Sequence, residues 1–112
     1  MTHTFEELVA EALDDLPEWV RQRLENVEVI VEDDPPATQP HLLGLYEGIP
    51  LTRRATNYSG VLPDRITLFR SRIEAGARGE EELKALVRHT IVHEVAHFFG
   101  ISDQRLNELG RY

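Results

Sequence analysis

Cysteine is absent from this chain of 112 residues. Its absence excludes disulfide bonds, thiol nucleophiles, iron–sulfur clusters and cysteine-based zinc sites. Basic residues are in the minority, because 12 Lys and Arg stand against 20 Asp and Glu, and the formal net charge is -8. Since affinity for nucleic acid depends heavily on Lys and Arg, we expect no nucleic-acid partner.

Long apolar runs are also missing. No stretch approaches the roughly 20 apolar residues that cross a bilayer. The acidic N-terminal segment lacks the basic start and apolar centre of a signal peptide. We therefore expect a cytoplasmic protein that has no membrane partner. The length and the 41% hydrophobic content predict one folded domain over residues 1–112, and the oligomeric state stays open.

Hydrophobic spacing predicts an α+β fold, in which a small sheet packs on a long helix between N-terminal and C-terminal helices. Thr4 and Glu7 form the pattern of a capping box at the start of the first helix. "VEVIVED" predicts a strand that has one well-buried face, and "RITLFRSRI" predicts either an edge strand able to bind an extended peptide or a core strand. The predicted elements are helices over 4–16, 80–100 and 103–109, a short turn or helix over 18–27, and strands over 27–33, 41–51 and 65–73.

The long helix carries the pattern HExxH, as His93, Glu94 and His97. At about 100° per residue these three share one sector of the helix. Side chains at i and i+4 are neighbours on a helix, so two imidazoles can converge on one metal ion while the glutamate accepts a proton from water. The opposite sector is predicted to be wrapped by the core and holds Ile91, Val92, Val95, Ala96, Phe98 and Phe99.

The motif continues as HExxHxxGxxD. Gly100 can adopt the left-handed conformation that ends a helix, and the chain can then bring Asp103 back to the ion as a third ligand. Asp103 or Ser102 could instead cap the last helix. His89 and Glu108 are further candidates for metal ligands. The alternatives are that His89 is a solvated or hydrogen-bonded histidine and that Glu108 is a plain surface residue. Any of Tyr46, Tyr58 and Tyr112 could polarise a substrate carbonyl.

The chain resembles the small bacterial zincin-like metallopeptidases, through "RHTIVHEVAHFFGISDQRL", "VEDDPP", "LLGLYEGIPLT" and "YSGVLPDRITLFR". The motif is also similar to that of snapalysin-type proteases. This resemblance implies a minimal zincin fold with a small mixed sheet, a zinc ion held by His93, His97 and Asp103, and Glu94 as general base. The only methionine is Met1, so the methionine turn of metzincins is missing. Because 15 residues follow His97, we expect an open, one-sided cleft.

Three functions stay open at this point. The first is a zinc-dependent peptidase that acts on peptide or protein substrates. The second is a non-catalytic interaction module, in which four protein ligands would fill the coordination sites of a structural metal ion. The third is a metal-dependent hydrolase of another amide bond. A site of two histidines and a carboxylate also suits other divalent ions, such as Fe²⁺ or Mn²⁺.

Overall fold

The computed structural model describes residues 3–53 and 63–108. Helix α1 (Phe5–Asp14) begins at the predicted capping box, because Glu7 N donates to Thr4 Oγ1 at 3.1 Å and Thr4 N donates to Glu7 Oε1 at 2.7 Å. The α-helices and strands that follow, in chain order, are α2 (Glu18–Arg23), β1 (Val27–Glu32), β2 (Gly44–Glu47), β3 (Asp64–Phe69), α3 (Arg70–Ala75), α4 (Glu80–Phe98) and α5 (Asp103–Glu108).

The three described strands form a mixed sheet in the order β1-β3-β2. β1 runs parallel to β3, and β2 runs antiparallel to it. The register aligns Ile66 of β3 with Val29 on one side and with Tyr46 on the other. β2 and β3 both contact α4, so the predicted arrangement of a small mixed sheet on a long helix is confirmed.

β3 is the central strand, so the core-strand reading of "RITLFRSRI" is confirmed and the edge-strand reading is wrong. The predicted extent of this strand is also wrong, because it ends at Phe69 and α3 follows directly. Phe69 and Ile73 are both buried, and their spacing of four residues is helical. Helical spacing of the buried residues therefore replaces the alternating spacing of a strand after Phe69.

β1 is less buried than "VEVIVED" indicated. Its valines Val27, Val29 and Val31 are only partly buried, although they pack against the core. The physical reason is its position, since β1 is paired with β3 on one side only among the described strands. The alternating pattern shows which face is apolar but does not show whether the strand lies at the centre or the edge of its sheet.

α4 lies between the sheet and α1, and the buried core surrounds it on these two sides. Leu8 of α1, Leu68 of β3 and Ile91 of α4 are almost completely buried. The predicted core face of α4 is correct for most of its residues, but Val92 is 44% exposed. None of the helices within 3–53 and 63–108 is long and apolar enough to cross a membrane.

Gly44 sets the distance between β2 and α4. A Cβ at this position would lie 2.9 Å from Thr90 Cγ2, 3.1 Å from the Thr67 carbonyl oxygen and 3.2 Å from Glu94 Cγ. These distances are too short for ordinary van der Waals contact. The strand can therefore approach the helix this closely only because it has no side chain there.

We predict that Gly44→Ala destabilises the protein by about 1–3 kcal/mol, because β2 and α4 must move apart. Urea denaturation measures this change. Gly76→Ala is the matched control, since the one short approach of its Cβ would be to the flexible end of Leu86 at 3.0 Å. Both substitutions reduce the entropy of the unfolded chain equally, so equal stability of the two variants would contradict the role assigned to Gly44.

Candidate metal centre

His93, Glu94 and His97 come together on the face of α4 that is turned away from α1. One candidate ligand atom from each lies within 4.8 Å of the other two. The imidazole rings of His93 and His97 are 4.7 Å apart between centroids. The sequence predicted that these three side chains share one face, and the structure places them together.

Glu94 is the most buried of the three, with 5% of its surface exposed. It lies under β2, where the missing side chain of Gly44 leaves room for its methylene groups. Burial raises the pKa of the Glu94 carboxyl above its ordinary value, and the imidazoles of His97 and His93 oppose this rise. A carboxyl group with a raised pKa in a histidine cluster is suited to proton transfer near neutral pH.

Glu94 and Asp103 contact opposite nitrogens of the His97 ring. Glu94 Oε1 lies 3.3 Å from Nδ1, and Asp103 Oδ1 lies 2.6 Å from Nε2. A carboxylate that accepts the proton of Nδ1 leaves Nε2 with its lone pair available to a metal. Glu94 is therefore placed to orient the ring of His97.

A Schellman motif turns the chain at the end of α4. Ile101 N donates to the Ala96 carbonyl oxygen at 2.9 Å, and Gly100 N donates to that of His97 at 2.9 Å. Gly100 has a φ of +89°, which favours glycine. The predicted helix end is thus confirmed, and the turn brings α5 back towards the histidines.

Asp103 approaches both histidines with one oxygen. Its Oδ1 lies 3.0 Å from His93 Nε2 and 2.6 Å from His97 Nε2. Ser102 is confirmed as a cap of α5, because its Oγ accepts from Arg105 N at 3.1 Å, and the alternative in which Asp103 is the cap is wrong. Two imidazole nitrogens that converge on one carboxylate oxygen match the donor set that zinc takes. The residues present therefore fit a metal ion.

The remaining candidates lie outside this cluster. His89 is exposed, and its ring centroid is 6.3 Å from that of His93. Glu108 Oε1 contacts Arg105 Nη1 at 3.3 Å in a surface ion pair. Tyr46 donates its hydroxyl proton to Asp64 Oδ2 at 2.6 Å. Tyr58 and Tyr112 lie outside the described residues.

Two cavities flank the cluster. One of about 210 Å³ is bordered by His93 and Glu94, and another of about 220 Å³ is bordered by His97 and Tyr46. The first is also bordered by His41 and Leu43, which sequence reasoning did not connect with the site. No local pattern could have identified them, because their position depends on the path of the loop between β1 and β2.

The comparison with known families agrees with this geometry. Residues 24–111 match the family of zincin-like metallopeptidases. The match covers most of the chain, so the chain belongs to this family. The resemblance stated from the sequence and the zincin-like fold are both confirmed.

One solved structure is similar over nearly its whole length. It is a conserved hypothetical protein from Thermus thermophilus, with 26% sequence identity, a TM-score of 0.60, and 96% of each chain covered. This similarity supports the fold and carries no assigned activity. No curated protein matches the chain.

We predict that Gly100→Ala destabilises the protein by about 1–3 kcal/mol through its positive φ, with a further loss because the new Cβ would overlap the side chain of Thr52. Denaturant unfolding measures both effects. Adding Thr52→Ala removes the two nearest atoms and should recover part of the stability.

Gly79→Ala is the control for this experiment. Its φ is +88°, and its Cβ would meet nothing within 4 Å. Thr52→Ala should therefore recover no stability in the Gly79→Ala protein. Equal recovery in both proteins would show that Thr52 does not pack against the turn.

Proposed function

We propose that the chain is a zinc-dependent peptidase in which His93, His97 and Asp103 hold the metal and Glu94 is the general base. The observation that carries this proposal is the convergence of both Nε2 atoms on Asp103 Oδ1, with a buried carboxyl group next to the first histidine. Membership of the zincin-like metallopeptidase family supports the same chemistry.

When bound, a zinc ion supplies Lewis acidity, which acidifies water and polarises a carbonyl group. The chain's own contribution is proton transfer and orientation. Glu94 accepts a proton from the attacking water and delivers it to the amine that leaves. The raised pKa of its carboxyl group makes the protonated form accessible during this transfer.

The surroundings of the site fit an extended substrate. The two cavities lie on opposite sides of the row formed by His93, Glu94 and His97. Asp103 lies on the solvent-exposed side of the cluster. Its side chain is 55% exposed, whereas the side chain of His93 is 16% exposed. We infer a peptide or an unfolded protein segment as the substrate, laid across this row.

The non-catalytic alternative requires a fourth protein ligand. Of the two candidates, Glu108 pairs with Arg105, and His89 lies at the rim of a cavity. Both positions favour a metal site with an open coordination position over a site that is closed by four protein ligands. The two substitution experiments below separate metal binding from catalysis.

Asp103→Ala should abolish or strongly weaken zinc binding, because it removes the oxygen shared by the two imidazoles. The measurement is the metal content per chain, with about one zinc ion expected in the unsubstituted protein. Glu108→Ala is the control on the same helix and should retain the metal. Zinc loss in Glu108→Ala alone would move the third ligand to that residue and overturn the assignment.

Glu94→Gln should retain zinc and lose activity by about 10²- to 10⁴-fold, because an amide cannot accept the proton. Its side-chain oxygen can still accept a hydrogen bond from His97 Nδ1, so the orientation of the ring is preserved. Zinc content and cleavage of a mixed peptide library are measured on the same preparation. Full cleavage by the zinc-loaded variant would rule out Glu94 as the base.

A further inference from the structure

The sheet has a second face, turned away from α4, and a groove lies along it. Ile66 of β3 is buried in the core on the side of α4. Because successive side chains of a strand point to opposite faces, Thr67 lies on the other face, between Ile30 of β1 and Leu45 of β2. The groove has a volume of about 320 Å³, and every described residue that borders it belongs to a strand or to the loop after β1.

The floor of this groove is largely apolar and is formed without a partner. Thr67 and Phe69 are almost completely buried along it, and Ile30 and Leu45 are partly buried on either side. Pro35 supplies part of the wall, and its ring fixes the backbone φ there. Few groups need to be ordered when a ligand enters such a groove, so the entropic cost of binding is low.

The rim of the groove is mainly acidic. Glu32, Asp34 and Glu47 border it, together with the guanidinium group of Arg65. Arg65 is already paired, because its Nε donates to Glu28 Oε1 at 3.2 Å. In the part of the chain that the structure describes, neither Glu32 nor Glu47 has an ion-pair partner. Both side chains are exposed, so their charges are available to a ligand.

The sheet register places these two carboxylates at opposite ends of the groove. Glu47 is aligned with Arg65 and Glu32 is aligned with Phe69. The two residues of β3 are four positions apart, which corresponds to about 13 Å along the strand. The side chains of Glu32 and Glu47 are therefore too far apart to share one metal ion. The apolar row through Thr67 lies between them.

This distribution of charge decides which class of partner the groove fits. Nucleic acid and anionic lipid would meet negative charge with negative charge. A second copy that paired through the same face would place carboxylates against carboxylates, and the net charge of -8 opposes such pairing. A segment that has basic side chains at both ends and an apolar centre is complementary to the groove along its whole length.

We propose that this groove docks a segment of a partner protein in which a short apolar stretch lies between basic residues. Its apolar side chains lie over Ile30 and Leu45, and its Lys or Arg side chains pair with Glu32 and Glu47. This inference goes beyond the proposed function and does not rest on it, because β2 lies between the groove and Glu94. The partner is bound while the candidate metal centre stays uncovered.

The first test compares three capped peptides of equal length by titration. One has two Leu residues between two pairs of Arg residues, the second has Glu in place of Arg, and the third has Ser in place of Leu. The first should bind more tightly than either of the others by about tenfold or more, because only it matches both the apolar floor and the acidic rim. Added salt should weaken its binding. The amide NMR signals of Ile30, Leu45 and Thr67 should shift.

Removal of the two rim charges provides the matched comparison. Glu32→Gln together with Glu47→Gln preserves side-chain size and should weaken binding of the first peptide by about tenfold or more. Glu25→Gln together with Glu74→Gln changes the net charge equally at two exposed residues that do not border the groove. This control should retain at least most of the affinity. Equal losses in the two proteins would show attraction to the overall charge and would overturn the proposal.

Other outcomes also decide against a docking groove. Equal affinity for the Ser peptide would show that charge alone attracts the peptide. NMR shifts confined to α4 and α5 would place the peptide at the candidate metal centre. Self-association of the chain that shifts the groove signals would assign the groove to a second copy. Absence of binding at millimolar concentrations of the first peptide would overturn the proposal outright.

The same titration separates this inference from the peptidase proposal. It is carried out on zinc-loaded protein and again after removal of zinc by a chelator, and the affinity for the first peptide should be equal. A groove that binds only when zinc is present would contradict its independence from the metal centre. Groove binding without any peptide cleavage would retain this inference and overturn the peptidase. Cleavage without groove binding would have the opposite meaning.

Discussion

The packing of α4 on two sides is the constraint on which the rest of the structure depends. The helix packs against the sheet and against α1, and the buried residues between Val87 and Phe98 belong to the core. From His93 to His97 its ionisable side chains share the sector turned away from α1, where each has a polar partner. Gly44 lets β2 pass so close that Glu94 is covered. The same helix thus carries the site and packs in the core, so a displacement of α4 would change both the site geometry and the core packing.

The two carboxylates of the site have different surroundings, and this difference supports the roles proposed for them. Glu94 is buried and faces Nδ1 of His97, whereas Asp103 is largely exposed and faces Nε2. The exposed carboxylate can exchange solvent for a cation at little cost, and the buried one is held in an environment that favours its protonated form. One imidazole therefore separates the proposed ligand from the proposed base. The Schellman turn at Gly100 makes this separation by directing the chain to the far side of the ring.

The sequence predicted α1, α4 and the shared face of His93, Glu94 and His97, because these depend on local spacing and capping. It also predicted the turn at Gly100. It did not predict that β3 ends at Phe69, since the change from alternation to helical spacing occurs within a few apolar residues. The exposure of Val92 was missed because a helical wheel shows where apolar residues lie and not how far a neighbouring element extends. His41 reaches the site only through the path of a loop, which has no local signal.

All three proposed ligands come from one short, continuous segment, between His93 and Asp103. A chelate closed within so few residues restricts little of the unfolded chain, because loop-closure entropy grows with the length enclosed. The ion would link the end of α4 to α5, and it would not cross-link parts of the domain that are distant in the sequence. Folding of the sheet and of α1 would then be independent of metal supply, and the protein could lose or exchange its ion while its core remains assembled. Metal binding would then affect only the end of α4 and α5, in a domain that is already folded.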